Sequence, residues 1–198
     1  MPQKRLRLVV GLGNPGNTYK RTRHNVGFMV IDQISEGFSI ALVKQKFGTI
    51  YGRGSIDDIN VILIKPMVFM NRSGPQVQKI TRYYRILSED VLVVHDDIDL
   101  AFGRIKIKEK GGDGGHKGVR SIIDAFGGGD FVRLRIGVGR PDAGISAADH
   151  VLGRFKSDEN KVLDQIINAA RDAVVTILCK GAKEGMDRFN DKRIVISS

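Results

Sequence analysis

The stretch that decides the fold is Leu6-Arg-Leu-Val-Val10, followed by the turn Gly11-Leu-Gly-Asn-Pro-Gly16 and then by Thr22-Arg-His-Asn25. The first run is rich in β-forming side chains and ends at a glycine, which predicts a buried strand. Beyond Asn25 the apolar residues recur at helical spacing, at Val26, Met29, Val30 and Ile34. Thr22 is the expected N-cap of this helix. A strand, a glycine turn and a helix in this order predict the first unit of an α/β fold.

Further strands and helices alternate along the rest of the chain. The predicted segments are strands around Phe47–Tyr51 and Val61–Ile64, a helix from Ser73, a strand over Val91–Val94, a short helix through Ile122, and a long helix from about Asp158 to Lys180. This alternation predicts an α/β protein in three layers, with a mixed twisted sheet flanked by helices on both faces. We expect a single domain over residues 1–198, with its core at about 6–190.

Composition limits the class of protein. Hydrophobic residues make up 41% of the 198 residues, as in an ordinary globular protein, and no apolar run reaches membrane-spanning length. We therefore expect a cytoplasmic location and no membrane partner. The single cysteine, Cys179, excludes an intrachain disulfide and is expected to be buried in the long helix. The net charge of +10 favours a polyanionic partner, although a solvated basic surface would give the same balance.

Basic residues alternate with apolar ones in two further predicted strands. Lys106 and Lys108 alternate with isoleucines, and Arg133 and Arg135 alternate with Leu134 and Ile136. Because side chains alternate across a strand, the cations lie on one face. That face is either solvated or a clamp for a phosphate backbone.

The glycines of the first turn match a dinucleotide-binding spacing, but its context argues against that function. Pro15 removes a backbone N–H where phosphate binding needs donors. Asp32 falls within the predicted helix instead of at the end of a second strand. We therefore expect no nucleotide cofactor.

His24 is the candidate general base. Asp96 follows a buried strand, so it is expected at the same edge of the sheet, where it would orient the imidazole. No G-x-S-x-G elbow supplies a protein nucleophile, so water is the expected attacking group. Asp96, Asp97 and Asp99, with His24 or His95, leave a metal centre as an alternative. Asn14 and Asn71 are candidates for binding a peptide backbone, although asparagine in turns is often structural.

The ordered motifs resemble bacterial-type peptidyl-tRNA hydrolases. They are Val10–Gly16, Thr22–Gly27, Lys65–Gly74, Val94–Leu100 and Gly114–Ser121. The resemblance implies a monomeric, metal-independent esterase that cleaves a peptide from the 3′ ribose of tRNA and contacts the acceptor stem and the 3′ CCA end. By resemblance, the catalytic residues are His24 and Asp96, the substrate-binding residues are Asn14, Tyr19, Met70, Asn71, His116 and Lys117, and the phosphate-binding residues are Lys108 and Arg135, with no metal ligand. His116 is expected to act by position and not as a base.

Two residues depart from the family pattern. Lys117 replaces the usual asparagine after the loop histidine, and Asp113 replaces a histidine within that loop. A charged lysine accepts no hydrogen bond, so the amide's role cannot transfer to it. Lys117 could instead stabilise negative charge or contact RNA. A noncatalytic RNA-binding relative is therefore the alternative, against which the joint presence of the catalytic and amide residues argues.

Overall fold

The structure is a computed structural model that describes residues 5–191 and Ile194. The ends of the predicted domain therefore lie outside the described residues. The strands are β1 (Arg7–Gly11), β2 (Lys44–Lys46), β3 (Thr49–Ile56), β4 (Ile59–Pro66), β5 (Val91–Asp97), β6 (Ile105–Lys108) and β7 (Val132–Gly137). The helices are α1 (Val26–Gly37), α2 (Ser73–Tyr84), α3 (Lys117–Phe126), α4 (Ala147–Leu152), α5 (Ser157–Lys180) and α6 (Ala182–Phe189). Short 3₁₀ turns occupy Arg23–Asn25, Met70–Arg72 and Ser88–Asp90.

The seven strands form one mixed sheet in the order β2-β3-β4-β1-β5-β7-β6. β1 lies between β4 and β5 and is parallel to both, and β5 is also parallel to β7. The β2, β3 and β6 strands run antiparallel to their neighbours. Parallel strands need a crossover on a sheet face, and α1 and α2 supply such crossovers. The predicted α/β fold class is confirmed.

The central strands β1, β4 and β5 bury alternate side chains in two separate hydrophobic clusters. Val9 and Val94 pack with α1 and α5 on one face, whereas Leu8 and Val93 pack with α2 and α3 on the other. Burial of such a side chain contributes about 1.5–3 kcal/mol relative to exposure. Because both faces are covered, the reactive side chains can meet only at the ends of the strands.

Two local predictions were wrong. Thr22 precedes the first 3₁₀ turn, but its side chain does not cap a helix, because its hydroxyl donates to the carbonyl oxygen of Tyr19 at 2.8 Å. Cys179 is exposed and its Sγ lies 3.3 Å from a carboxylate oxygen of Asp57. It follows Leu178, the last buried residue of α5, and a step of one residue turns a side chain away from the helix face that packs on the sheet.

No helix within the described part of the chain combines the length and apolar character needed to cross a membrane.

Candidate active site

The candidate site lies where the carboxyl ends of β1 and β5 meet. His24 lies in the 3₁₀ turn that follows β1, and Asp96 lies near the end of β5. Gly27 makes this approach possible, because a Cβ there would lie 2.4 Å from the carbonyl oxygen of Val94 and 2.5 Å from the backbone nitrogen of Leu12. Any larger residue would push the start of α1, and His24 with it, away from the strands.

The imidazole of His24 is oriented by Asp96. Its Nδ1 lies 2.9 Å from Oδ1 and 3.0 Å from Oδ2 of the carboxylate. An ionised carboxylate can only accept hydrogen bonds, so Nδ1 carries the proton and donates it. In the neutral ring Nε2 is then the nitrogen without a proton, and His24 lines an open cleft. This is the tautomer that a general base requires.

His116 holds Asp96 from a second direction. Its Nδ1 accepts hydrogen bonds from the backbone N–H groups of Gly118 and Val119 at the start of α3, at 3.1 and 3.2 Å. Its proton is therefore on Nε2, which donates to Oδ1 of Asp96 at 2.9 Å. Both ring nitrogens are thus bound inside the protein. These bonds agree with the positioning role that the sequence suggested for His116. His116 also lines the cleft, and its placement among the substrate-binding residues stays a prediction.

Asp96 is nearly fully buried but remains the charged member of this group. Burial by itself would raise the pKa of Asp96, but its attraction to His116 and His24 and their hydrogen bonds hold that pKa well below its usual value. Asp96 is thus a fixed negative charge behind His24, and such a charge stabilises an imidazolium when His24 accepts a proton.

His95 lies beneath the site. Its Nδ1 donates to the backbone oxygen of Asp96 at 2.7 Å, and its ring contacts that of His116 with 4.7 Å between centroids. Burial, followed by repulsion from His116, lowers the pKa of His95 to about 3. This histidine is therefore neutral and structural at physiological pH.

The structure brings together only part of the metal-ligand set considered from the sequence, because Asp97 and Asp99 have other partners. Asp97 forms an ion pair with Arg135, and Asp99 forms one with Arg140. Potential ligand atoms of His24, Asp96 and His116 do lie within 4.8 Å of one another. A metal at that point would require deprotonated nitrogens where the hydrogen bonds already place N–H donors. The donor set therefore fits a hydrogen-bonded triad better than a metal ion.

Asn14 is held rigidly at the wall of the cleft. The side chain of Asn25 accepts from the backbone N–H of Asn14 at 2.8 Å and donates to its carbonyl at 2.9 Å. Oδ1 of Asn14 accepts from the backbone N–H of Met70 at 2.8 Å. Asn14 therefore offers the cleft an N–H donor, while its side-chain oxygen already accepts a hydrogen bond within the protein.

The cleft has a volume of about 720 Å³ and opens directly over His24. Tyr19, Met70 and Asn71 line it, as the sequence predicted, and Lys117 lies at the start of α3 on its rim. Apolar residues of α4 form the facing wall: Ala147, Ala148, Val151 and Leu152. Arg23 anchors this wall, since its guanidinium bonds the carbonyl oxygens of His150 and Arg154.

The basic residues predicted as a phosphate clamp lie at the β6–β7 edge. Lys106 pairs with Arg135 in register, and Lys108 pairs with Arg133, so all four share one face. Lys108 is exposed, and Arg135 is half-buried against Asp97. Arg133 does not belong to the exposed face that the sequence suggested. It is only 2% exposed, and its guanidinium bonds backbone carbonyls of two glycine loops.

Sequence reasoning assigned no role to Asn25 or Arg23, both of which position the site. The available sequence signal was that both residues lie within Thr22–Asn25, the motif that contains His24. Asn25 bonds the backbone of Asn14, and Arg23 bonds backbone carbonyls and the carboxylate of Glu159. Residue types alone do not reveal such contacts.

The chain is similar in sequence and in fold to known proteins. A sequence model of the family described as peptidyl-tRNA hydrolase matches residues 8–196. A peptidyl-tRNA hydrolase from Clostridium novyi is 48% identical over 183 residues, which cover 92% of this chain and 97% of that protein. One from Caldanaerobacter subterraneus is 46% identical, with coverage of 92% and 98%. The crystal structure of peptidyl-tRNA hydrolase from Acinetobacter baumannii superposes with a TM-score of 0.90 at 38% identity, covering 98% of this chain and 100% of that chain.

Proposed function

The chain belongs to the peptidyl-tRNA hydrolase family, and we propose that its cleft hydrolyses the ester between a peptide and the 3′ ribose of tRNA through water activated by His24. The observation that carries this mechanism is the contact between Nδ1 of His24 and both oxygens of Asp96. In the neutral ring this contact leaves Nε2 able to accept a proton, and His24 lines the cleft. The activity releases tRNA that can be used again.

The chemical step follows from this arrangement. Nε2 of His24 removes a proton from water as its oxygen attacks the ester carbonyl, and Asp96 stabilises the resulting imidazolium. The tetrahedral intermediate then collapses, the carbon–oxygen bond to the ribose breaks, and the imidazolium returns the proton to the leaving 3′ oxygen. A positioned general base typically contributes about 10²–10⁴-fold to the rate.

The cleft residues have distinct proposed tasks. The N–H donor of Asn14 binds a carbonyl oxygen of the substrate, since its own side-chain oxygen is already occupied by Met70. Asn71 is exposed on the same rim and can both donate to and accept from the peptide backbone. Tyr19 and Met70 supply apolar contacts at the peptide end. Lys117 places a cation where negative charge develops or where RNA approaches.

Lys108 and Arg135 are proposed to hold a phosphate of the tRNA. Both lie on the cationic face at the sheet edge, and Arg135 contacts Asp97, which lines the cleft. The ion pair with Asp97 orients the guanidinium of Arg135 but also offsets part of its charge. Lys108 is therefore expected to contribute more of the attraction to the tRNA.

The deciding experiment compares an N-blocked aminoacyl-tRNA with its unblocked counterpart, in excess chelator. The proposal predicts that only the blocked substrate is cleaved, at a rate that the chelator leaves unchanged. Cleavage of neither substrate would refute the proposed activity and favour a noncatalytic RNA-binding protein. Chelator-sensitive cleavage would refute the metal-independent mechanism.

A further inference from the structure

We propose that an exposed aromatic surface beside the cleft binds the peptide of the substrate beyond the residues next to the ester. This surface, called the aromatic track below, consists of Phe69, Val68, Phe47 and Tyr83. The inference rests on the proposed function, because it extends the binding of the same substrate.

The aromatic track is continuous with the cleft. Phe69 lines the cleft and is 59% exposed. The segment before it is joined to the β2–β3 turn, because the N–H of Met67 donates to the carbonyl of Gly48 at 2.8 Å and Val68 lies against Gly48. From that turn the ring of Phe47 meets the edge of Tyr83, with 5.8 Å between centroids. A chain leaving the cleft past Phe69 therefore meets apolar surface and not open solvent.

The position of the aromatic track matches the expected course of the peptide. The β2–β3 turn lies at the carboxyl end of β4, since Thr49 pairs with Pro66, so it shares the end of the sheet that holds the cleft. It lies at the opposite edge from β6, which carries Lys108. If the tRNA binds at β6, the peptide leaves the ester toward β4 and β3. Three strand spacings separate β5 from β3, about 14 Å, or about four residues of extended peptide.

The backbone conformation of Phe47 is one that a phenylalanine rarely adopts, so turn formation does not account for this residue type. Phe47 and Gly48 form a two-residue hairpin turn with φ values of 48° and 69°. Asparagine or glycine is favoured in such a turn, and a bulky residue there is strained. Strained residues of this kind cluster at binding and catalytic sites. Phe47 is also 38% exposed, so core packing does not account for a phenylalanine at this position.

The rings of the aromatic track are already ordered. The ammonium of Lys46 lies 3.6 Å from the ring centroid of Tyr83 and 5.3 Å from that of Phe47. Tyr83 also packs against Tyr84 at 4.9 Å. A surface that is fixed before binding loses little side-chain entropy when a ligand arrives. Aromatic side chains can stack on nucleobases as well, but the position of the basic clamp at the other sheet edge favours the peptide.

The test measures KM and kcat for three substrates: an N-blocked single-residue aminoacyl-tRNA, a six-residue peptidyl-tRNA with apolar side chains, and a six-residue peptidyl-tRNA of glycine and serine. The variants are Phe47→Asn and Tyr83→Ser. Leu87→Ser is the matched control, because Leu87 is 59% exposed, close to the 55% of Tyr83, but precedes the amino end of β5. Phe47→Asn suits the turn, so it is expected to keep or raise the melting temperature.

We expect each track variant to raise KM for the apolar six-residue substrate by roughly three- to tenfold, with kcat unchanged. The single-residue and glycine–serine substrates should keep their KM, and the Leu87 variant should match the wild type throughout. An unchanged KM for the apolar substrate would overturn the inference. An equal rise for all three substrates would also overturn it, because it would show that the track contacts tRNA. Failure of the wild type to cleave even the single-residue substrate would instead refute the proposed function.

Discussion

Replacing Asp96 by asparagine tests how the hydrogen bonds assign the protons of the site. In one orientation the new amide nitrogen takes the place of Oδ2, 3.0 Å from Nδ1 of His24. Oδ1 still lies 2.9 Å from Nδ1 and can accept its proton, but the amide N–H beside it favours the tautomer of His24 with the proton on Nε2, which would abolish the base. In the other orientation the amide nitrogen faces Nε2 of His116, 2.9 Å away. His116 cannot move its proton, because its Nδ1 accepts from the amino end of α3.

His24 is therefore biased toward the inactive tautomer and loses the negative charge that stabilises its imidazolium, so Asp96→Asn should lose up to about 10⁴-fold in kcat, the scale of a wrongly protonated catalytic histidine. A second substitution should partly reverse this loss. His116→Asn keeps an N-cap side chain for α3 but is too short to reach residue 96. With that constraint gone, the amide oxygen can turn toward His24 and restore the active tautomer.

We expect the double variant Asp96→Asn with His116→Asn to be at least about tenfold faster than Asp96→Asn alone, which corresponds to about 1.4 kcal/mol. The assay is single-turnover release of tRNA from an N-blocked aminoacyl-tRNA at saturating enzyme, so that binding does not contribute. His116→Asn alone is the control and should be slower than the wild type. A double variant as slow as Asp96→Asn, or slower, would refute the proton assignment.

Two other predictions concern binding and stability. Lys108→Ala should weaken tRNA binding and reduce the slope of log K against log salt concentration by about 0.7–0.9, which corresponds to one phosphate contact. The control, Lys161→Ala on the exposed side of α5, should change neither the affinity nor the slope. An unchanged slope for Lys108→Ala would remove Lys108 from the clamp. The pKa of His95 is lowered to about 3 in the folded protein, so the folded state resists protonation that the unfolded chain accepts near pH 6.5. The contribution of His95 to the free energy of unfolding is therefore fully present above pH 6.5. It declines as pH falls toward 3, by roughly 2 kcal/mol at pH 5. Denaturant titrations of His95→Asn should show a shallower decline over this range, and an identical decline would contradict the buried neutral state.

The sequence was sufficient to predict the layers of the fold and the reactive pair. Periodicity placed α1 and β5 correctly because their apolar faces are long and regular. The meeting of His24 with Asp96 followed from a general property of parallel sheets, whose carboxyl ends lie at a common edge.

The sequence could not show which polar groups carry protons or which already have hydrogen-bond partners, because both depend on backbone atoms far away in the sequence. Asn14 has lost its acceptor to Met70, and Arg133 is buried among carbonyls although it alternates with apolar residues like its neighbour Arg135. Residue types specify which hydrogen bonds are possible, whereas only the tertiary structure determines which are made.

The most direct test of the central claim is single-turnover cleavage by His24→Ala, measured beside its affinity for tRNA in excess chelator. His24 is the only group assigned to take the proton from water, and it does not belong to the clamp. The account predicts a loss of about 10²–10⁴-fold in the cleavage rate with tRNA affinity nearly unchanged. A variant that cleaves at a rate comparable to the wild type would contradict the account.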